Sequence, residues 1–315
     1  MAQPKRLLLI APSRMVCTLA FERAAQMAQG MNATLRIVAL VHQNILDEVD
    51  AHQGEPKTAH RSPLWSFQRW LSAEAGLLSK GGLQVCAEVL WCERNVINLC
   101  HYIEEAEVDY VIKDLEEEIT SEGRTFSTLD WQLLHESRVP VLFVQHDGAA
   151  TSRKIVAAVD VLHHEPQVRE MNRSSIEAAS QLADSFGASV HILSVYDREA
   201  LPVAEGNDFC PPSLLTYEQA RKRFDLLADQ YAISAQCRHF VVGACASSIN
   251  QYVSNCHFDV LVFGATNYMA TDMLLGRTAQ RVLGHPPCSL LALKDRDVHV
   301  RPALSTHEYT AVNLT

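Results

Sequence analysis

No run in this sequence approaches the roughly 18 consecutive apolar residues that span a bilayer as a helix. The start, Met1-Ala2-Gln3-Pro4-Lys5-Arg6, leads straight into a strand-like run. It lacks the separate apolar segment and small-residue cleavage site of a secretory signal. Cysteine is present at nine positions, but no Cys-x-x-Cys pair occurs. An odd, scattered set with several members inside apolar runs fits reduced thiols better than a disulfide framework or a zinc site. Basic charge is also short: the formal net charge is −10. That argues against duplex nucleic acid and against an anionic membrane surface as main partners, since both reward Lys and Arg. No GxSxG elbow, no P-loop and no HExxH helix is present. Together these absences give the expectation of a cytoplasmic, non-catalytic protein without a metal.

What is present is an ordinary globular composition, 48% hydrophobic over 315 residues. That is long for one core and comfortable for two. Arg6 to Ala11 is a continuous apolar run, which predicts a parallel strand buried on both faces. A helical pattern over Val16, Leu19, Ala20, Arg23, Ala24 and Met27 follows, with Gly30 as its expected cap. Strands are predicted at 35–41, 84–91, 109–112 and 140–144, with helices over 65–78, 96–106 and 130–135. Residues 43–63 read as a loop. Glu116-Glu117-Glu118 reads as a solvated acidic turn.

The order then repeats. Lys154 to Asp160 answers Lys5 to Ala11, and Ile176 to Ala183 answers the first helix. Asn32-Ala33-Thr34-Leu35 matches Gly187-Ala188-Ser189-Val190, and Asp109-Tyr110-Val111-Ile112 matches Asp259-Val260-Leu261-Val262. The joint, Asp147 to Ser152, is small and polar. Repeated βαβ units with right-handed crossovers predict an α/β protein of two tandem domains. Each is a five-stranded, mainly parallel sheet with helices on both faces. The expected bounds are 1–147 and 153–296, with 297–315 as an extension lacking periodicity.

One stretch in the second half carries a site pattern. Val260-Leu261-Val262-Phe263 stops at Gly264, and a segment with Thr266, Asn267 and Thr271 follows. Gly276-Arg277-Thr278 then opens a short helical pattern that ends at Pro286-Pro287. A strand, a glycine-bearing loop and a helix place that loop at the carboxyl edge of a sheet, where open α/β folds bind ligands.

At these residues the sequence resembles the universal stress protein family, most closely its tandem E-type members. Thr128-Leu129-Asp130-Trp131-Gln132-Leu133-Leu134 with Val139-Pro140-Val141 is similar to their TDWxLL…CPSPV stretch. Leu275-Gly276-Arg277-Thr278-Ala279-Gln280-Arg281-Val282 is similar to LGNTAEQV. The family's nucleotide loop reads G-x2-G-x9-G-[S/T], with an aspartate after the first strand. The resemblance thus implies an ATP site built from Asp160, Gly264, Asn267, Gly276, Arg277 and Thr278. Two departures stand out: Asn267 replaces the second glycine, and the spacer to Gly276 is one residue short. Arg277 offers a charge to a phosphate. In the first half Pro12 stands near the aspartate's place and Lys113-Asp114-Leu115-Glu116-Glu117-Glu118 replaces the loop, so no nucleotide is expected there. The resemblance further implies intrachain pairing of the two domains, as single-domain members dimerise, with a homodimer as the further arrangement. A small-molecule carrier of a partly apolar ligand is the alternative function.

Three other constellations have a plainer reading. His163-His164-Glu165 follows Asp160, but adjacent residues diverge more readily than they converge on one ion. His285-Pro286-Pro287-Cys288 reads as a strand entry. Trp65, Phe67, Trp70, Leu71 and Leu78 carry helical spacing, for which core packing is the default over a ligand cavity.

Overall fold

The computed structural model describes residues 4–42, 63–92, 99–120, 123–145, 153–197, 216–265, 282, 286–294 and 310–313. The chain divides into two compact units. One comprises residues 1–116, 128–146 and 298–315, the other residues 117–127 and 147–297.

In the first unit the strands are β1 (Arg6–Ala11), β2 (Thr34–His42), β3 (Val85–Cys92), β4 (Tyr110–Asp114) and β7 (Val141–Val144). They pair in parallel in the order β3-β2-β1-β4-β7. The apolar runs form strands because parallel sheets are covered on both faces; Leu7, Leu8 and Leu9 are fully buried. The helices are α1 (Leu19–Met31), α2 (Pro63–Lys80), α3 (Leu99–Glu105) and α4 (Thr128–Glu136). In α2, Phe67 and Leu71 are fully buried, and Trp70 meets Phe21 of α1 edge-on with ring centroids 5.8 Å apart. That stripe is core. Trp65 is exposed, with Arg69 over its ring.

The second unit has β8 (Lys154–Ala158), β9 (Ser189–Tyr196), β10 (Arg238–Val242), β11 (Val260–Ala265) and β12 (Ser289–Lys294). All pair in parallel, in the order β10-β9-β8-β11-β12. Its helices are α5 (Pro166–Phe186), α6 (Tyr217–Gln230) and α7 (Cys245–Asn255). Side chains alternate across a strand, so β9 shows which faces are covered. Tyr196 meets Tyr217 of α6, while His191, an odd number of residues away, reaches the α7 side. Helices therefore pack on both faces.

Matching bonds set the internal register. The Arg6 amide donates to the Asp109 carboxylate at 2.8 Å, and the Lys154 amide to that of Asp259 at 2.7 Å. Lys154 therefore answers Arg6 rather than Lys5, and Asp160 falls opposite Pro12. By the same pairing Gly264 falls opposite Asp114. Both first helices end on a left-handed residue, Asn32 (φ 49°) and Gly187 (φ 60°).

Several local expectations are corrected. The first helix runs through Gly30 and stops at Asn32, because Asn too tolerates the left-handed conformation. The acidic stretch is not a turn. Glu117–Thr120 (β5) pairs antiparallel with Gly123–Phe126 (β6) as a hairpin. The second unit's first helix is far longer than 176–183, starting with Pro166 in its first turn, where the missing amide costs nothing. The region after residue 296 contains a strand, β13 (Thr310–Asn313), antiparallel to β3. Residues 43–62, most of the expected loop, lie outside the described residues.

Candidate functional site

In the second unit the chain runs outward from β8 to β9 and β10, then returns to the other side of β8 as β11. The order reverses between β8 and β11, and ligands in open α/β sheets bind at the carboxyl ends of such strands. Asp160 lies just beyond β8 and Gly264 near the end of β11, so two of the expected site residues come to this crevice. Asn267, Gly276, Arg277 and Thr278 lie outside the described residues.

Asp160 is held from several directions. Its Oδ1 accepts from the amides of Leu162 and His163, at 2.9 and 3.2 Å. Its Oδ2 pairs with His163 Nδ1 at 2.7 Å. Its own amide donates to Asn172 Oδ1 at 2.9 Å, and Asn172 Nδ2 donates to the Asp160 carbonyl at 2.6 Å. Asn172 is buried on α5 and clamps the Asp160 peptide from above. A carboxylate offers about four lone-pair positions, and these contacts use three. Among the described residues nothing takes the fourth, on Oδ2, of a side chain 43% exposed.

The electrostatics follow. Burial works against the Asp160 carboxylate, but the hydrogen bond and charge of His163 and the two amides outweigh it and hold its pKa below the usual carboxylate value. His163 is raised from its usual value, first by the hydrogen bond to Asp160 and then by nearby carboxylate charge, against its own partial burial. Next to it, Arg223 of α6 donates to His164 Nδ1 at 2.9 Å, so that nitrogen is the acceptor. Arg169 donates to the His164 carbonyl at 2.6 Å. His163 and His164 thus diverge to separate partners. Among the described residues no cluster of His, Cys, Asp and Glu has the makings of a metal site; Cys288 is buried ahead of β12.

Gly264 has a role that sequence does not reveal. A Cβ there would lie 2.0 Å from Cγ and 2.1 Å from Sδ of Met171. The missing side chain lets α5 seat Met171, itself buried, against the strand backbone. Asn172, Met171, Arg169 and Arg223 all went unnoticed in the sequence. Asn172 alone carried a signal: it is a polar residue on the apolar face marked by Val168, Met171, Ser175, Ile176 and Ala179.

The equivalent position of the first unit holds charged side chains of its own. Asp114, opposite Gly264, accepts the Thr18 hydroxyl at 2.6 Å. Lys113 is 2% exposed; its ammonium lies 3.0 Å from Asp130, which is fully buried, and 3.2 Å from Glu116. The Glu116 amide donates to Asp130 Oδ2 at 3.0 Å. Burial lifts the Asp130 carboxyl above its usual value, against the pull of Lys113 and that amide. With Pro12 opposite Asp160, no carboxylate stands at the end of β1.

A family model of universal stress proteins matches residues 151–294. The chain is 22% identical to universal stress protein E of Escherichia coli K12, over 87% of this chain and 89% of that one. It is 24% identical to the Photorhabdus laumondii protein of the same name, over 71% and 74% of the two chains. Among solved structures, a putative universal stress protein from Pseudomonas aeruginosa superimposes with a TM-score of 0.71 at 21% identity, covering 93% of this chain and 94% of that one. One from Archaeoglobus fulgidus gives 0.56 at 14% identity, covering 93% and 97%; at these identities the likeness shows fold alone. The second half, residues 151–294, thus matches the universal stress protein family, and along most of its length the chain is similar to E-type universal stress proteins.

Proposed function

We propose that this chain is a universal stress protein that acts by binding, without catalysis, and takes one adenine nucleotide at the β8–β11 crevice of its second domain. The observation that carries the reading is the Asp160 carboxylate: fixed by His163 and Asn172, half-exposed at the strand-order reversal, with one acceptor position open to a ligand hydroxyl or amine. Gly276, Arg277 and Thr278 would meet the phosphates, with Asn267 in place of a glycine. Domains of 1–147 and 153–296 then have different tasks, since the self-satisfied Lys113 and Asp114 contacts disfavour a nucleotide in the first. Cytoplasmic residence fits the sequence, and among the described residues no helix is long and apolar enough to cross a membrane.

Ligand binding to the folded state raises its apparent stability. Millimolar ATP should therefore raise the melting temperature, and Gly276→Asp should abolish the shift while leaving the fold intact. No shift in the wild-type protein would refute nucleotide binding. A co-purified apolar mass in native mass spectrometry would favour the carrier instead, and phosphate release at several turnovers per minute would overturn the non-catalytic reading.

A further inference from the structure

At the other end of the second sheet, where its strands begin, four side chains form one hydrogen-bonded line. Tyr252 Oη lies 2.8 Å from His239 Nδ1, and His239 Nε2 lies 2.9 Å from His191 Nδ1. His191 Nε2 is 3.0 Å from Ser189 Oγ, which reaches the Arg153 carbonyl at 3.4 Å. One end fixes the direction of the whole line. A carbonyl only accepts, so the Ser189 hydroxyl donates to it and accepts from His191 Nε2–H. His191 Nδ1 then carries no proton and accepts from His239 Nε2–H, and His239 Nδ1 accepts from the tyrosine hydroxyl. Both imidazoles are neutral and every ring nitrogen is engaged. The rings stack with centroids 5.1 Å apart, and Phe258 sets its edge against both.

We propose that His191 and His239 form an acid-sensitive latch holding β10 and α7 on the outer edge of the second unit. A first proton can reverse the line, with His239 Nε2 accepting from His191 and its Nδ1–H donating to the Tyr252 oxygen; a second sets the His191 and His239 N–H groups against each other, and that link must break. Either way a cation is left beside Lys154, whose ammonium already donates to the Cys256 carbonyl. Tyr252 and Cys256 face the pair from α7, Lys154 comes from β8, and Asp259 is engaged by the Lys154 amide. Arg238, next to His239 on β10, turns to Asp229. Burial first, then neighbouring positive charge, lowers both histidines, His191 to about 4.

The sign of the effect is set by linkage. The unfolded or opened chain binds protons at the ordinary histidine value, about 6.5, before the closed one does. Stability from the latch is complete above that value and is lost as pH falls toward the folded value near 4. The edge position matters, because β10 pairs with β9 alone among the described strands.

The test is hydrogen exchange on the full chain at about pH 7 and about pH 4.5, corrected for intrinsic exchange rates. Amides of residues 238–255 should open at least about tenfold more often in acid, while β11 and β12 keep their protection. In His191→Phe/His239→Phe the difference should vanish. Equal protection of the wild type at both values, or the same acid-induced opening persisting in the double variant, overturns the proposal. Should that variant not fold, proton NMR of the wild-type imidazoles decides. Both rings titrating below about 5.5 supports the latch, and midpoints near the ordinary value, about 6.5, overturn it.

Discussion

Lys113 and Asp130 share a buried contact in the first unit, with 3% and 0% of their side chains exposed. Removing one partner of such a pair strands the other charge, at a cost of about 3–5 kcal/mol. Lys113→Met should lose that much in urea unfolding, and Lys113→Met/Asp130→Leu should regain most of it. A double variant as unstable as the single one would mean that the pair does more than satisfy itself. Gly264 makes a parallel case in the second unit. Gly264→Ala drives a methyl into Met171 and should cost about 1–3 kcal/mol by overpacking. Adding Met171→Ala should relieve the clash, and strict additivity in the double-mutant cycle would deny the contact. Asn172→Ala removes both bonds to the Asp160 peptide and should lower stability by about 1–3 kcal/mol.

Among the elements, β13 is one that sequence patterning missed. Four residues, Thr310–Asn313, are too few to show alternation, and a strand added at an edge is specified by its partner's open backbone groups. Deleting residues 298–315 should expose β3 and promote self-association, seen as added mass in light scattering; a monodisperse product of unchanged mass per chain would contradict this. The helix α6 was equally hidden, because only Ala220, Phe224 and Ala228 are buried along its length. Its start is nonetheless written locally, in the reciprocal bonds of Thr216 and Gln219. By contrast the parallel strands were legible. Runs such as Leu7-Leu8-Leu9-Ile10 and Val260-Leu261-Val262-Phe263 are apolar throughout because helices cover both faces. Asp160 and Gly264 were singled out through the repeat and the family pattern, and both lie at the carboxyl ends of neighbouring strands. The contacts that decide their roles were not, since His163, Asn172 and Met171 reach them only through the turn into α5.

At the scale of the whole molecule, one architecture appears twice with opposite fillings. Each unit reverses strand order beside its first strand. In the first, Asp114 takes the Thr18 hydroxyl and Lys113 pairs with Asp130. In the second, Asp160 is held in place with an acceptor position open. The central claim is that duplication left one ligand site, not two. Isothermal titration of the full chain with ATP tests it most directly. One nucleotide per chain is expected, with binding abolished by Asp160→Ala and retained in Thr18→Val. Two nucleotides per chain, binding indifferent to Asp160→Ala, or no heat at millimolar ATP would contradict it.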